Sequence, residues 1–445
     1  MAPPPWVLLN RKVNFVDGGF AGGAGKAAAA IGGSSGERSV EESLAAMEPH
    51  PIVAEPPQVT SLSMLRLIPP GEMRRVRGGM ISSTDKGLVV LYAGMYRPGN
   101  GAYSPAGCYL VYDASSNSLS SIPPLDPPTS LGPLPVLPTI KSLGPSAAIL
   151  RLGHGGEGAY VLAELVATVH PGLPDAELYL WSSTANSDGQ WMRTAVRLPL
   201  PPKLCGPTYF FHVDMAFSIE GSRVCWVDLL TGVLICDLFT PQGPEFSFIP
   251  LPQGYSLYTP DNIRLGLKPQ EFRSMGRVCG AIKFVALIGY TEGSTGNELV
   301  LKTWTLSTDL KEWKKGSTVL VGDLWASESF SQMKLPRVRP MFPVLSMNED
   351  DIVYVFLNDV KYVDSVNYCG QIVGRQLMLN GHYVLRLELV RNKVLCSKKS
   401  TTNNLALLAP TLLASDFSAY LHGSKDRQRG EEASKMGATM KRIKY

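Results

Sequence analysis

Residues 224–252 read VCWVDLLTGVLICDLFTPQGPEFSFIPLP, and this stretch spells out a strand, a turn, a returning strand and a further strand. Val224, Trp226 and Val227 are β-branched or aromatic residues that suit a pleated, half-buried surface. Thr231 and Gly232 predict a turn whose glycine can take positive φ, after which Val233, Leu234, Ile235 and Cys236 run back. Asp228 and Asp237 fall where the two strands end, the place where a carboxylate accepts hydrogen bonds from turn N–H groups. Phe246, Phe248 and Ile249 resume the apolar pattern, and Pro250 and Pro252 stop it.

Other segments read as copies. One module holds residues 87–92 (GLVVLY), 107–113 (GCYLVYD) and 119–122 (LSSI), with a turn over 114–117. The next holds 147–150 (AAIL), 159–165 (AYVLAEL), 177–181 (ELYLW) and a strand from Trp191 to the prolines after Leu200, with a turn near Asp188 and Gly189. Residues 224–252 are the third. A fourth holds 280–288 (GAIKFVALI), 299–304 (LVLKTW) and 313–321, turning over 308–311. A fifth holds 351–356 (DIVYVF), 381–387 (GHYVLRL) and 394–396 (VLC), with Asn392 at the turn. Equivalent strand ends recur every 56 to 68 residues, the spacing of four-stranded units with generous loops. Repeats of strands without helices exclude a parallel α/β sheet. The expected fold is all-β, a β-propeller-like array of about five or six antiparallel blades.

The totals agree. Prolines and glycines number 35 and 43 while charged residues make up only 18%, a balance that favours turns and strands over long solvated helices. A net charge of +4 over 445 residues is too small to mark a body built to meet phosphates, so nucleic acid is not the expected partner. No segment offers the ~20 uncharged apolar residues of a membrane helix, and the N-terminus has no signal-peptide pattern. Seven cysteines without close pairing, and the lack of an Asn-x-Ser/Thr acceptor, point to a reducing compartment, cytoplasm or nucleus. Four divisions follow: residues 1–16 an N-terminal strand, 17–56 a flexible Gly/Ala/Pro-rich insert, 57–414 the propeller-like domain, and 415–445 a polar, basic tail. Within the insert, Ser39 and Glu42 have capping-box spacing, so a short helix is expected before Pro49. Removal of 18–48 or 424–445 is expected to leave the fold intact.

Motifs that carry chemistry are weak. Gly153, Gly155 and Gly158 spell G-x-G-x-x-G, but no βαβ context surrounds them, and a hairpin turn is the better reading. Residues 32–36 spell G-x-S-x-G inside a Gly/Ala/Ser run that lacks the strand and helix of a nucleophile elbow. Residues 22–26, GGAGK, lack both the first glycine and the hydroxyl residue of a phosphate loop. His50, His154, His170, His212, His382 and His422 are scattered and no Cys-x-x-Cys occurs, so no metal site is expected. Cys225 and Cys236 sit so that adjacent strands would set them opposite each other, either as a pair able to oxidise or as two buried thiols. Trp181, Trp191, Trp226, Trp304 and Trp313 recur at matching places in the modules, which marks them as packing between blades, a stacking platform for a ligand being the lesser alternative. Lys425, Arg427, Arg429 and residues 441–444 form a basic run interspersed with Glu431 and Glu432, a solvated tail or a nuclear address.

The opening PPPWVLLNRKVNF, the central WVDLLTGVLICDL with FIPLP after it, and LYLWSS with a downstream Trp resemble the plant proteins grouped as domain of unknown function 1618, a family expanded in grasses. The likeness runs from Trp6 to about Leu413, with its signature over about 224–360, and a looser one extends to F-box-associated and kelch repeats. The resemblance implies no established activity, and nothing like an F-box precedes the repeats. No catalytic, cofactor-binding or metal residue is assigned. The functional expectation is a non-enzymatic scaffold that holds an unidentified protein partner through loops on one face, in an undetermined oligomeric state. Its competitor is an enzyme or small-ligand binder that uses a central channel lined by residues such as His212 and Asp214.

Overall fold

Alternating apolar residues draw this chain into short strands that turn back on one another. The structure, a computed structural model, describes residues 3–17, 47–66, 79–93, 108–123, 146–153, 158–167, 176–184, 189–204, 211–257, 268–290, 296–366, 371–400 and 411–421. Among them the chain opens with β1 (Val7–Asn10), β2 (Lys12–Asp17), β3 (Met47–Ile52) and β4 (Val59–Arg66). Next come β5 (Gly79–Asp85), β6 (Leu88–Ala93), β7 (Cys108–Asp113) and β8 (Ser118–Ile122), then β9 (Ala147–Arg151), β10 (Tyr160–Ala167), β11 (Ala176–Ser182) and β12 (Met192–Val196). The third quartet is β13 (Met215–Ser218), β14 (Arg223–Asp228), β15 (Gly232–Asp237) and β16 (Glu245–Pro250), and the fourth β17 (Arg273–Val278), β18 (Ala281–Ile288), β19 (Val300–Leu306) and β20 (Trp313–Leu320). The fifth is β21 (Pro340–Leu345), β22 (Ile352–Val366), β23 (Ile372–Glu388) and β24 (Lys393–Ser400), and β25 (Leu412–Ser415) closes the series.

Each quartet is an antiparallel meander in chain order. The terminal strands make a further group. β25 pairs antiparallel with β1, from Val7↔Ser415 to Asn10↔Leu412. β1 and β2 run one after the other along the same edge of β4, both parallel to it, and β3 covers the other edge. Across its width this group is also four strands: β25, then β1 with β2, then β4, then β3. Its strand pairing with β5 is short, Lys12↔Met80 and Val13↔Gly79.

Successive residues of a strand point to opposite faces, so a sheet covered on both sides needs apolar residues at nearly every position. β14 meets that requirement: Trp226 faces Leu150, Val161 and Leu178 of the second quartet, whereas Cys225 and Val227 face Phe284 and Trp304 of the fourth. Similar cores lie between the first and second quartets (Val90, Tyr109, Ile149, Leu162) and between the fourth and fifth (Val285, Leu301, Val355, Leu385). Trp6, Leu8, Phe342 and Phe356 join the fifth quartet to the terminal group, and Leu9, Met64, Leu91 and Tyr112 join that group to the first. At ~25 cal/mol per Å² of apolar surface removed from water, these six interfaces supply the main favourable term of folding.

The all-β reading holds, and several details differ from it. Gly232 does not take positive φ. It is needed because a Cβ there would lie 2.5 Å from the Ile249 carbonyl oxygen and 2.6 Å from the Phe248 ring. Within the expected flexible insert, residues 47–52 form β3, whose alternate residues Met47 and Pro49 are buried while Glu48 and His50 are exposed, so a deletion through residue 48 cuts a strand. In the expected tail, Ser415 and Phe417 are fully buried, and Phe417–Tyr420 form a 3-10 turn. The loop over 18–46, the capping-box helix and the tail beyond residue 421 lie outside the described residues. Two short helices, Val321–Ala326 and Glu328–Gln332, bury Leu324, Trp325 and Phe330, and no helix among the described residues is long and apolar enough to cross a membrane.

The fifth quartet has an extension. β21 covers β22 only as far as Leu357, and β24 covers β23 only from His382 onward. Beyond those points, among the described residues, β22 and β23 pair only with each other, from Val360↔Leu379 to Val366↔Ile372, as a two-stranded arm.

Candidate functional site

The first strands of the quartets lie side by side: β5 beside β9 and β13, and β17 beside β21, which also meets β25. β5, β13, β17, β21 and β25 enclose a cavity of about 80 Å³, space for a few waters. Its walls mix Met215, Phe217, Leu345 and Leu413 with Ser83, Asp85, Arg277 and Asp416. The last three form a charged group: burial raises the Asp416 carboxyl above its ordinary range, the Asp85 charge adds to that, and Arg277 opposes it. Asp85 also accepts a hydrogen bond from the Arg151 amide at 2.8 Å, and Ser83 Oγ accepts one from Ile149 N at 2.9 Å, so β5 holds β9 with its side chains.

His212 and Asp214, proposed from the sequence as channel residues, stand together just before Met215. His212 Nδ1 lies 3.4 Å from Asp214 Oδ1. Asp214 is 2% exposed and accepts from Leu229 N at 2.8 Å and from Gln270 Nε2 at 3.0 Å. Arg11, at the break between β1 and β2, donates through Nε to the Ile81 carbonyl at 2.7 Å; burial lowers its pKa to about 10, and the Asp214 charge works against that. Arg273 donates to the Leu229 carbonyl at 2.9 Å and is likewise lowered to about 10 by burial, opposed by Asp228. A buried guanidinium costs several kcal/mol unless hydrogen bonds and a nearby carboxylate compensate. Here the compensation ties one sheet to the next.

A second buried polar group was missed in the sequence. Glu164 on β10 is 0% exposed and accepts from the Tyr109 hydroxyl on β7 and from Ser146 Oγ at 2.9 Å. The Ser146 carbonyl in turn accepts from Trp226 Nε1 at 2.7 Å, so one chain of bonds crosses three quartets. The only signal was a single glutamate inside the apolar run AYVLAELVA.

The remaining candidates resolve individually. The strands on either side of residues 153–158 are antiparallel, with Tyr160↔Arg151 and Leu152 N bonded to the Ala159 carbonyl at 2.9 Å, so this glycine run is a hairpin connection; residues 154–157 lie outside the described residues, as do 22–26, 32–36, His154, His170 and His422. Of the described histidines, His50 is on β3, His212 precedes β13 and His382 is on β23. Among the described residues no three potential ligands are grouped for a metal. Cys225 and Cys236 are not opposed. Cys225 pairs with Ile235 and Cys236 with Val224, a one-residue offset that sends the two thiols to opposite faces of the sheet. Both are free, and burial pushes Cys236 up to about 12 and Cys225 higher still.

The tryptophans pack, in two distinct roles. Trp191 and Trp313 each stand at the start of a fourth strand and donate through Nε1, at 2.8 Å, to a proline carbonyl at the end of the preceding quartet: Pro123 for Trp191 and Pro250 for Trp313. Trp181 and Trp304 lie on third strands, but Trp226 lies on a second strand, so the five do not all occupy matching places in their quartets as expected.

No curated protein matches the chain. Among solved structures, one similar chain is a DUF4623 family protein from Bacteroides eggerthii, at 11% identity and TM-score 0.26 over 69% of this chain and 55% of that one. Another is the dihydro-heme d1 dehydrogenase NirN in complex with DHE, at 9% identity and TM-score 0.31 over 81% of this chain and 64% of that one. The chain thus spans less than two thirds of the length of either. The stretch from the Trp226 strand through β22, residues 226–354, matches the family described as protein of unknown function (DUF1618), which bears out the resemblance carried by WVDLLTGVLICDL.

Proposed function

We propose that the five quartets and the terminal group are six blades of a β-propeller-like scaffold, and that this scaffold binds another protein through the β22–β23 arm. The circular succession of six cores, each between consecutive sheets and the last returning to the first, supports the blade arrangement. The axial polar side chains support a scaffold over a channel enzyme, since Arg11, Asp214, Arg273 and Asp85 make hydrogen bonds to backbone groups of neighbouring strands.

One observation carries the binding role. The arm exposes Tyr362 at 72%, Ile372 and Val373 at 65% each, and Met378 at 46%, large apolar side chains gathered on one projecting element, with Met378 on the opposite side of the ribbon from Tyr362. Apolar clusters of this kind mark contact sites. The test is affinity purification from the native source with the wild-type chain and with Tyr362→Asp/Ile372→Asp. A partner held by the wild type and lost from the variant is expected. Identical sets of captured proteins from both would sink the reading.

A further inference from the structure

We infer that the apolar face of the arm is a self-association surface, covered by the same face of a second copy of this chain; this rests on reading the arm as a contact element. Register decides which residues share the face. Val360 stands opposite Leu379, Tyr362 opposite Leu377, and Asp364 opposite Arg375. With a period of two, these six residues lie on one side of the ribbon, and Lys361, Val363 and Met378 lie on the other. The first side is therefore apolar except for one ion pair, Arg375 Nε to Asp364 Oδ1 at 3.4 Å, whose side chains are 76% and 49% exposed.

That pair says what can cover the face. When two identical ribbons stack face to face about a two-fold axis running along the strands, every residue meets its own cross-strand neighbour from the other copy. Asp364 then faces the second copy's Arg375, and Arg375 its Asp364. Tyr362 likewise faces the second Leu377, and Val360 the second Leu379. A two-fold axis across the strands would instead set carboxylate against carboxylate if it passed through this pair, and would set Asp364 against Val360 and Arg375 against Leu379 if it passed through Tyr362. The face is thus complementary to itself in charge and in apolar shape, which is what an isologous contact requires. Among the described residues this ribbon has a third strand on neither edge, and a two-stranded ribbon alone is only marginally stable in water, so a second copy covers a face that would otherwise stay wet.

The size of the contact fixes its strength. Seven residues at ~3.3 Å rise and two strands ~4.8 Å apart give a patch roughly 23 Å by 10 Å, so two arms bury on the order of 500 Å² in total, the size of a weak, transient contact. The contact is a weak dimer, with a dissociation constant in the micromolar range.

Sedimentation velocity of the full chain, from about 1 to about 100 µM, brackets that range. Concentration-dependent dimer is expected, and Tyr362→Asp is expected to raise the dissociation constant at least about tenfold with the thermal melt unchanged. Asp364→Arg alone and Arg375→Asp alone are expected to stay monomeric, each placing like charges face to face, whereas a mixture of the two associates. A wild-type chain that is monomeric throughout overturns the inference, as does a dimer that none of these substitutions weakens. If the chain stays monomeric while the native-source partner is still lost from the Tyr362→Asp/Ile372→Asp variant, the arm serves a different protein; the proposed function then stands and the self-association falls.

Discussion

At the scale of single residues, Trp226 shows how this sequence commits side chains to structure. It is fully buried between the second and third quartets, stacks on Phe246 with ring centroids 6.0 Å apart, and donates to the Ser146 carbonyl. Trp226→Ala removes transfer free energy, opens a cavity and orphans an acceptor, so a loss of about 3–5 kcal/mol is expected in the urea midpoint, while the exposed Lys314→Ala leaves it unchanged. His382 gives a pH signature. It lies at the base of the arm, 3% exposed, with Nδ1 2.6 Å from Asn358 Oδ1, and burial lowers its pKa from the ordinary 6.5 to about 4. The unfolded chain takes up the proton near 6.5 and the folded chain only near 4, so the stabilisation is complete above about 6.5 and is lost as the pH falls towards 4, on the order of 3 kcal/mol in all. Denaturation midpoints measured across that window for wild type and His382→Asn give a difference that shrinks as the pH falls; a constant difference would mean that His382 keeps an ordinary pKa.

At the scale of elements, the Trp191 and Trp313 latches join fourth strands of successive sheets by one N–H to carbonyl bond each. Replacing either by Phe keeps most of the apolar surface and removes the donor, at an expected cost of about 0.5–1.5 kcal/mol; the two changes share no partner, so the double variant is expected to sum them in calorimetric melts. Strands two and three of every quartet were legible in the sequence because they are largely covered on both faces and read as apolar runs, as LVVLY and VLICD do, whereas the fourth strands, exposed on one face or nearly throughout, were found from the turns that precede them. The first strands of the first, third, fourth and fifth quartets were not legible. β5 (GMISSTD) and β17 (RSMGRV) line the cavity, so Ser83, Asp85 and Arg277 break the apolar run that would have marked them, and β13 (MAFS) is four residues long. The charged sites were hidden too, since Arg11, Asp85, Arg273 and Asp416 come from strand ends far apart in sequence. The arm was half legible: VYVF and GHYVLRL declared its buried base, while Lys361, Asp364 and Arg375 disguised the alternation of Val360, Tyr362, Leu377 and Leu379.

At the scale of the whole molecule, the two ends of the described chain meet in one sheet. β25 lies on β1, Ser418 Oγ donates to the Pro4 carbonyl at 2.8 Å, and Phe417 fills the core that joins the terminal group to the first quartet. Ending the chain at residue 411 removes that strand and that ring together, and a cooperative melt is expected to be lost; Phe417→Ala alone is expected to lower stability by about 3–5 kcal/mol, read by the same calorimetry. The joint also sets a timetable for birth on the ribosome. β1 emerges first and waits for roughly 400 further residues before its partner exists, on the order of 20–80 s at ordinary translation rates. Throughout that interval Val7, Leu8 and Leu9, all fully buried in the finished protein, have no strand of β25 to shield their edge. Until Leu412–Ser415 is made, the edge of β1 that it covers in the folded chain has no partner, and a ribosome stalled before Leu412 leaves that edge bare.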